Sequence, residues 1–289
     1  MHLRPDHAVR HLPTLHAFIR AHPLGVVTTS LPSEDFPTLQ CSHIPWVLDA
    51  DTDQTESTST TSEANGVGSN SSLGALRGHI ARANPQSRAM IEAATNVSPQ
   101  AQESDINTAS SVGREYGHVL PGEILVVFTS PVDHYITPHF YTASKPATGK
   151  VAPTWNYAAV QVYGRATIYH DSKSDTTGEF LHQQLSDLAR LGEEGIMKYR
   201  DSRSDEDESP SRSPWTITDA PPEYIATLKK NIVGLRIQIT RIEGRFKVSQ
   251  ERPGDDRSGV VEGLERMQTA RAREMAEFVR SGRVVSAPE

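Results

Sequence analysis

The chain has 289 residues, of which 36% are hydrophobic, and its net charge of −7 argues against direct DNA binding, which requires a basic surface. A single cysteine, Cys41, excludes an internal disulfide and favours a reducing compartment. No apolar run is long enough to cross a bilayer and the N-terminal residues form no apolar signal core, so we expect a cytoplasmic protein without a membrane segment.

The first half of the chain alternates short apolar strands with two helices. Its predicted elements are helices over 12–21 and 84–94 and strands over 24–30, 42–48, 73–81 and 124–129. Pro85 follows Asn84 as expected at the start of a helix. The segments 50–73 and 95–118 are polar and poor in apolar residues, so we expect disordered insertions there.

The second half combines two long alternating strands with three amphipathic helices. Its predicted elements are strands over 158–169 and 232–242 and helices over 175–200, 221–231 and 258–281. Asp219 is the expected N-cap of the helix that begins at 221, and the acidic, serine-rich segment 201–213 is expected to be disordered. Many short strands with a few helices indicate a mainly β, α+β fold.

The most informative string runs from Lys150 to Tyr157 and reads Lys-Val-Ala-Pro-Thr-Trp-Asn-Tyr. Pro153 cannot donate to a strand ladder, so we interpret the string as a shaped loop that leads into the strand from 158. It supplies an indole, a carboxamide, a phenol and a cation within eight residues. This set suits a flat ligand with a polar edge and a negative tail, such as a flavin nucleotide.

The string also resembles the FMN-binding split-barrel proteins of the PaiB type, called FMN-binding negative transcriptional regulators. Further matching stretches follow the same order along most of residues 1–265, and they are 24–30, 42–48, 76–86, 122–128, 135–141 and 242–250. Two positions depart from the family pattern, because Phe140 stands where Trp is expected and Glu251 stands where Asn is expected. The two long insertions also distinguish this chain.

The resemblance implies a six-stranded Greek-key split barrel with peripheral helices, formed by one domain over 1–283. It further implies a homodimer that binds FMN at the subunit interface with residues from both chains. A small-molecule substrate or effector would then reach the flavin.

Three residues at the end of the third strand form a candidate cradle for the FMN phosphate: His79, Arg82 and Asn84. Arginine offers a planar fork of donors to phosphate, and the free N–H groups of the following helix also favour anions. Ser42, on the neighbouring strand, adds a hydroxyl donor. The competing interpretation is a surface arginine and a hydrogen-bonded strand histidine.

The isoalloxazine ring needs main-chain groups at its pyrimidine edge and apolar cover on one face. Thr28 and Thr29 of the first strand are candidates for the edge. Trp155 is the candidate cover, while Asn156 and Tyr157 could reach ring or ribityl oxygens. The alternative is a core tryptophan beside an asparagine that holds a loop. Lys150 completes the cofactor set, and a solvent-exposed lysine on a turn is its alternative.

The twelve histidines do not form a recognisable metal motif, so we expect no metal site. No catalytic acid, base or nucleophile is evident from the sequence either. Hydride transfer to a flavin requires none, because the cofactor carries that chemistry. We therefore expect a flavin-dependent oxidoreductase acting on a small molecule. A PaiB-like negative regulator and a flavin- or haem-binding sensor without turnover are the alternatives.

Overall fold

The structure is a computed structural model, and it describes residues 1–50, 73–96, 117–200, 213–282 and 284. The three predicted insertions lie almost wholly outside these residues. In the described part of the chain, no helix is long and apolar enough to cross a membrane.

The described residues form a mixed α/β fold of ten strands and seven α-helices. The strands are β1 (Ala8–Val9), β2 (Leu24–Ser30), β3 (Leu39–Pro45), β4 (Val47–Asp49), β5 (Ala75–Ala81), β6 (His118–Val119), β7 (Ile124–Thr129), β8 (His134–Ile136), β9 (Thr154–Tyr169) and β10 (Ile232–Lys247). The helices are α1 (Leu12–Ala21), α2 (Pro85–Asn96), α3 (Ser144–Thr148), α4 (Asp175–Arg190), α5 (Pro222–Lys230), α6 (Gly254–Glu265) and α7 (Ala270–Ser281).

Among the described residues, the ten strands belong to one sheet, whose main path is β3-β2-β7-β9-β10-β5-β4. Six strands had been expected, so the prediction of strand number was wrong, and the Greek-key connectivity stays a prediction. Four short strands account for the difference: β1, β6 and β8 pair with β9 or β10 away from the main path, and β4, of three residues, forms one end of that path. Strands of two or three residues carry too little alternation to be recognised in a sequence.

The chain divides into two compact units, and β2, β7, β9 and β10 each contribute residues to both. The first unit contains Met1–Gly25, Val126–Val162 and Arg241–Glu289. Within it, β1 pairs antiparallel with β10, with Ala8 opposite Arg245. In its core, the rings of Phe18 and Phe246 lie 5.1 Å apart, and both side chains are buried. The apolar face of α1 is thereby attached to the end of β10.

The second unit contains Val26–Leu125 and Tyr163–Thr240. Here β5 lies between β4 and β10, and both pairings are antiparallel. The alternating face of β10 buries Val233, Leu235 and Ile237, as its period of two predicts. Tyr169 of β9 stacks on Phe180 of α4 with ring centroids 3.9 Å apart. This contact attaches the helix to the sheet.

The string at 154–157 is part of a strand, which corrects the prediction of a loop before 158. β9 begins at Thr154, directly after Pro153, and Thr154 to Asn156 pair with Ile136 to His134 of β8. Proline therefore precedes the ladder without interrupting it. The short strand β8 supplies the partner that made these residues extended.

Three helix boundaries also differ from the sequence prediction. The helix expected over 175–200 ends as α4 at Arg190 and continues as one π-helical turn, Leu191–Ile196. The helix expected over 258–281 is two helices, because Gln268 adopts a positive φ of 56° and the Thr269 side chain caps α7. Asp219 does not cap α5; it closes a capping box with Thr216 on the preceding turn.

Candidate functional site

In the second unit, Asn84 joins the start of α2 to strand β3. Its Nδ2 donates to Ser42 Oγ over 3.0 Å, and its Oδ1 accepts from the backbone N–H of Gln86 over 2.9 Å. The structure thus brings the predicted residues Asn84 and Ser42 together. The Asn84 side-chain oxygen accepts from a free N–H of the helix N-terminus, and its side-chain nitrogen donates to the Ser42 hydroxyl.

Arg82 directs its guanidinium group to backbone carbonyl groups of the second unit. Its Nε donates to Lys230 O over 2.9 Å, and one amino group donates to His170 O over 2.5 Å. The same amino group lies 3.4 Å from Ile232 O. These bonds satisfy carbonyls near the start of β10 and the end of β9, which gives Arg82 a structural role in the described chain.

Thr29 is buried, and its hydroxyl accepts a hydrogen bond from Gln86 Nε2 over 3.1 Å. The same amide nitrogen approaches Val27 O at 3.2 Å and Gln40 O at 3.1 Å. Gln86 therefore ties β2 and β3 to α2. The sequence analysis assigned it no role, although it follows the Asn84-Pro85 pair that marks the helix start. Thr28 lies on the other face of β2 and is half-buried.

His79 is half-buried on β5, and burial lowers the pKa of its imidazole, so the ring is neutral near pH 7. Its Nδ1 is buried without a hydrogen-bond partner among the described residues. A neutral ring contributes no positive charge to a phosphate site. The assignments of Thr28, Thr29, Ser42, His79, Arg82 and Asn84 to FMN stay predictions.

In the first unit, Trp155 is exposed on β9 rather than packed in a core. Its side chain is 54% exposed, and its ring meets that of Tyr135 edge to face with centroids 6.2 Å apart. Tyr135 is itself 45% exposed. The two residues pair across β8 and β9, so the ladder fixes their backbones side by side. Together they present an apolar aromatic surface.

Asn156 points away from that surface and is fully buried. Its Nδ2 donates to Ser249 Oγ over 2.9 Å, and the Ser249 hydroxyl lies 3.3 Å from its Oδ1. Ser249 is buried too and adopts a positive φ of 62°, a rare conformation for a non-glycine residue. The carboxamide therefore holds the strand in place, which agrees with the structural alternative for Asn156.

Two cations of β10 border the aromatic residues of β9. The guanidinium carbon of Arg245 lies 5.7 Å from the ring centroid of Tyr157. The Lys247 ammonium donates to Trp155 O over 2.9 Å and also to the hydroxyl of Thr154. The sequence analysis missed Arg245 and Lys247. Both lie in the stretch 242–250 that resembles the family, but neither was given a ligand role.

Lys145, in α3, and Lys150, in the loop that follows it, are both exposed. Lys150 donates its backbone N–H to Thr148 Oγ1 over 3.1 Å, and Lys145 Nζ lies 2.9 Å from His139 Nδ1. The cofactor role of Lys150 stays a prediction. Across the described residues, no three His, Cys, Asp or Glu side chains are grouped so as to hold a metal ion.

Glu251, which departs from the family pattern, is engaged by the N-terminal segment. Its Oε2 lies 3.1 Å from Nε2 of the buried His7. The neighbouring Gln250 donates from Nε2 to Asp6 O over 2.9 Å. The turn that follows β10 therefore holds the first residues of the chain. Glu251, the residue that departs from the family pattern, contributes to this through its contact with His7.

The aromatic surface and the adjacent cations of the first unit form a candidate site for a flat, anionic ligand. The chain matches the family model FMN_bind_2, described as "Putative FMN-binding domain", over residues 1–241, and it belongs to that family. FMN is accordingly its cofactor. The PaiB-type family predicted from the sequence is confirmed.

The chain is also similar to individual proteins. The chain is 46% identical over 269 residues to an uncharacterized protein of Aspergillus fumigatus, covering 93% of this chain and 92% of that protein. It is 29% identical over 157 residues to protease synthase and sporulation protein PAI 2 of Bacillus subtilis, covering 54% of this chain and 62% of that one. The structure of the flavocytochrome Anf3 from Azotobacter vinelandii aligns with a TM-score of 0.40 and 12% identity, covering 85% and 72% of the two chains.

The residues of the first unit fit an FMN group. The exposed faces of Trp155 and Tyr135 suit a flat ring. Two cations lie on the neighbouring strand, since Arg245 lies over the Tyr157 ring and Lys247 donates to the carbonyl of Trp155, and cations suit the anionic end of FMN.

Proposed function

We propose that the protein is an FMN-dependent oxidoreductase that acts on a small molecule. The observation that carries this proposal is the exposure of Trp155, whose neighbour Asn156 is fully buried and hydrogen-bonded. A large aromatic side chain held at the surface by an anchored strand offers a flat platform for a ligand. One face of an isoalloxazine ring needs such a platform.

The chain's own residues bind and orient the cofactor, and bound FMN supplies the hydride and electron chemistry. Trp155 covers the ring, and Tyr157 lies two residues further along the same face of β9. Lys247 fixes the carbonyl of Trp155, which keeps the strand extended at that point. On the buried face of β9, the hydrogen bond from Asn156 to Ser249 holds the strand in place. No protein acid or base is needed for hydride transfer to the flavin.

The proposal is tested by isolating the protein with its flavin and mixing it anaerobically with NADH or NADPH. Reduction of the bound flavin, followed as bleaching of its visible band, supports an oxidoreductase. Trp155→Ala should bind flavin roughly tenfold more weakly, whereas the matched control Trp215→Ala, which removes an exposed tryptophan of the second unit, should bind it as the wild type does. Flavin that neither nucleotide reduces would contradict the reductase proposal.

A regulatory protein that binds flavin without turnover is the alternative, and the name of the Bacillus subtilis relative favours keeping it. The net charge of −7 disfavours direct DNA contact, so regulation would act through a small-molecule effector or a protein partner. A salt-dependent gel shift tests DNA binding directly. A Soret band on titration with haem would instead favour a haem-binding sensor.

We also propose a homodimer with FMN at the subunit interface, working in the cytoplasm. The family resemblance supports the dimer, and the exposed aromatic pair Trp155 and Tyr135 supplies apolar surface that a second chain could cover. The lone cysteine, Cys41, is exposed, which suits a reducing compartment. Light scattering on the flavin-loaded protein gives the mass, and a monomer would contradict the dimer.

A further inference from the structure

We infer that the loop between β8 and β9 holds a site for the carboxylate group of the small-molecule substrate, formed by Lys145 and His139. The inference rests on the proposed flavin site beside Trp155, and it names the chemical class of the molecule that meets the flavin there. It concerns a second ligand beside the cofactor, one that the loop would select by its negative charge.

The loop begins where the exposed aromatic pair ends. β8 and β9 are antiparallel neighbours with Tyr135 opposite Trp155, and residues 137–153 connect them one pair further along. His139 follows Tyr135 by four residues, so their Cα atoms are at most roughly 14 Å apart. Thr137, between them, is extended, and its hydroxyl accepts from the backbone N–H of His139 over 3.3 Å. The loop therefore starts beside the proposed platform for the flavin ring.

Lys145 and His139 form a pair of exposed side chains within this loop. Lys145 Nζ lies 2.9 Å from His139 Nδ1. A lysine ammonium has only donors, so Nδ1 is the acceptor and the imidazole N–H is on Nε2. The ammonium group has two further N–H donors, and the ring offers its Nε2–H. Donors on two neighbouring side chains suit the two oxygens of a carboxylate.

The charges of the loop also favour an anion. Residues 134–170 include no Asp or Glu, whereas the loop contains the two cations Lys145 and Lys150. Asp133, directly before this stretch, forms an ion pair with Arg271 of α7. A carboxylate bound at the loop would thus meet cations and no acidic residue of the loop itself.

Helix α6 holds the loop in place. Asp256 is buried, and its Oδ1 accepts from the backbone N–H groups of Ala143 and Ser144 over 2.9 and 3.1 Å. Lys145 follows directly after these two residues. Because the backbone before Lys145 is already fixed, a ligand bound by its side chain has less chain to order, which favours binding.

The loop cations are separate from the cations of β10. β9 pairs with β8 and neighbours β10 in the sheet, so β8 and β10 lie on opposite edges of β9, about 10 Å apart. Lys247 contacts the Trp155 carbonyl from the β10 side. The loop leaves from the β8 side, where Tyr135 extends the aromatic surface. A substrate held by the loop would therefore approach the platform from β8.

The test uses the flavin-loaded protein with two flat carboxylates, benzoate and cinnamate, and with their uncharged amides, benzamide and cinnamamide. Binding beside the flavin is followed as a change in the visible spectrum of the flavin. The wild type should bind each carboxylate roughly tenfold or more tightly than its amide. Lys145→Met and His139→Phe should each remove most of this preference, and Lys145→Arg should retain it. Lys173→Met, which removes an exposed lysine of the second unit, is the control and should leave the preference unchanged.

The outcomes separate this inference from the proposed function. A protein that binds no FMN would contradict both. If NADH or NADPH reduces the bound flavin but the wild type binds carboxylates no better than amides, the inference alone is overturned. A preference that survives in both Lys145→Met and His139→Phe would overturn it as well.

A comparison of FMN with riboflavin, which lacks the phosphate, tests whether the loop instead serves the cofactor. Lys145→Met should bind both flavins as the wild type does. Weaker binding of FMN with unchanged binding of riboflavin would assign Lys145 to the cofactor and overturn the inference. Circular dichroism confirms that each variant is folded, and both positions are exposed, so folding should be retained.

Discussion

Asn156 and Ser249 hydrogen-bond to each other across 2.9 Å with both side chains buried, and Ser249 does so from a left-handed backbone conformation. A non-glycine residue at positive φ costs about 1 kcal/mol or more, so the surrounding contacts must stabilise it. The bond to Asn156 is such a contact. It links the strand that carries Trp155 to the turn after β10.

Asn156→Ala should therefore lower the free energy of unfolding by about 1 to 3 kcal/mol, because it leaves the Ser249 hydroxyl buried and unpaired. Ser249→Ala should cost a similar amount for the converse reason. The double variant should cost less than the sum of the two, since the pair acts as a unit. Urea unfolding of the four proteins measures this cycle. Strict additivity would show that the two side chains are not coupled.

Trp155→Ala should separate binding from stability. The side chain is more than half exposed, so its removal should change the free energy of unfolding by no more than about 0.5 kcal/mol. Loss of the aromatic platform should weaken FMN binding by roughly tenfold, which corresponds to a typical aromatic stacking energy. Thermal melting and flavin titration provide the two values. Unchanged affinity in this variant would remove Trp155 from the flavin site.

Glu251→Gln should destabilise the protein at neutral pH and much less in acid. Burial raises the pKa of Glu251, but the hydrogen bond with His7 and the nearby Lys247 outweigh burial, so its pKa lies below the ordinary value of 4.5. A carboxylate with a lowered folded-state pKa adds stability above its unfolded pKa, and this stability is lost as pH falls through the folded value.

The difference in unfolding free energy between wild type and Glu251→Gln should thus be about 1 to 2 kcal/mol at pH 7 and shrink steadily below pH 4.5. Urea unfolding across this range measures it. Glu262→Gln, at an exposed helical position, serves as the control and should show a small difference at every pH. A difference for Glu251→Gln that persists unchanged in acid would exclude the carboxylate charge as its cause.

Local sequence patterns predicted the elements that carry their own signal. The helix over 12–21 and the strands over 24–30 and 124–129 are observed with the predicted bounds, because apolar spacing within each segment decides its structure. The string at 154–157 was recognised as unusual for its side chains. Its strand conformation was missed, because it depends on pairing with β8, a partner of three residues.

The features that could not be predicted depend on distant contacts or on rare backbone conformations. Thr269 is the one local sign of the break between α6 and α7, and it was overlooked because Gln268 reaches a positive φ without being glycine. Ser249 likewise adopts a positive φ without being glycine. Asn156 was considered for the ligand and for a structural role, and only its contact with a residue 93 positions away identifies the structural one. Arg245 and Lys247 lie in the stretch 242–250 that resembles the family, but their contacts with Tyr157 and Trp155 join positions about 90 residues apart, which the sequence does not show.

A glycine in β9 provides a test of strand packing within the second unit. A Cβ on Gly164 would lie well inside van der Waals distance of the Gln238 carbonyl oxygen and of the Ile237 side chain. The carbonyl belongs to the backbone of β10 and cannot rotate away, so Gly164→Ala should destabilise the protein by about 3 kcal/mol, as overpacking does.

Gly178→Ala is the matched control: Gly178 lies in α4 with open space around it, and alanine should stabilise the helix by up to about 1 kcal/mol. Urea unfolding of both variants should give shifts of opposite sign. Equal shifts would mean that β9 and β10 can separate at Gly164 without cost.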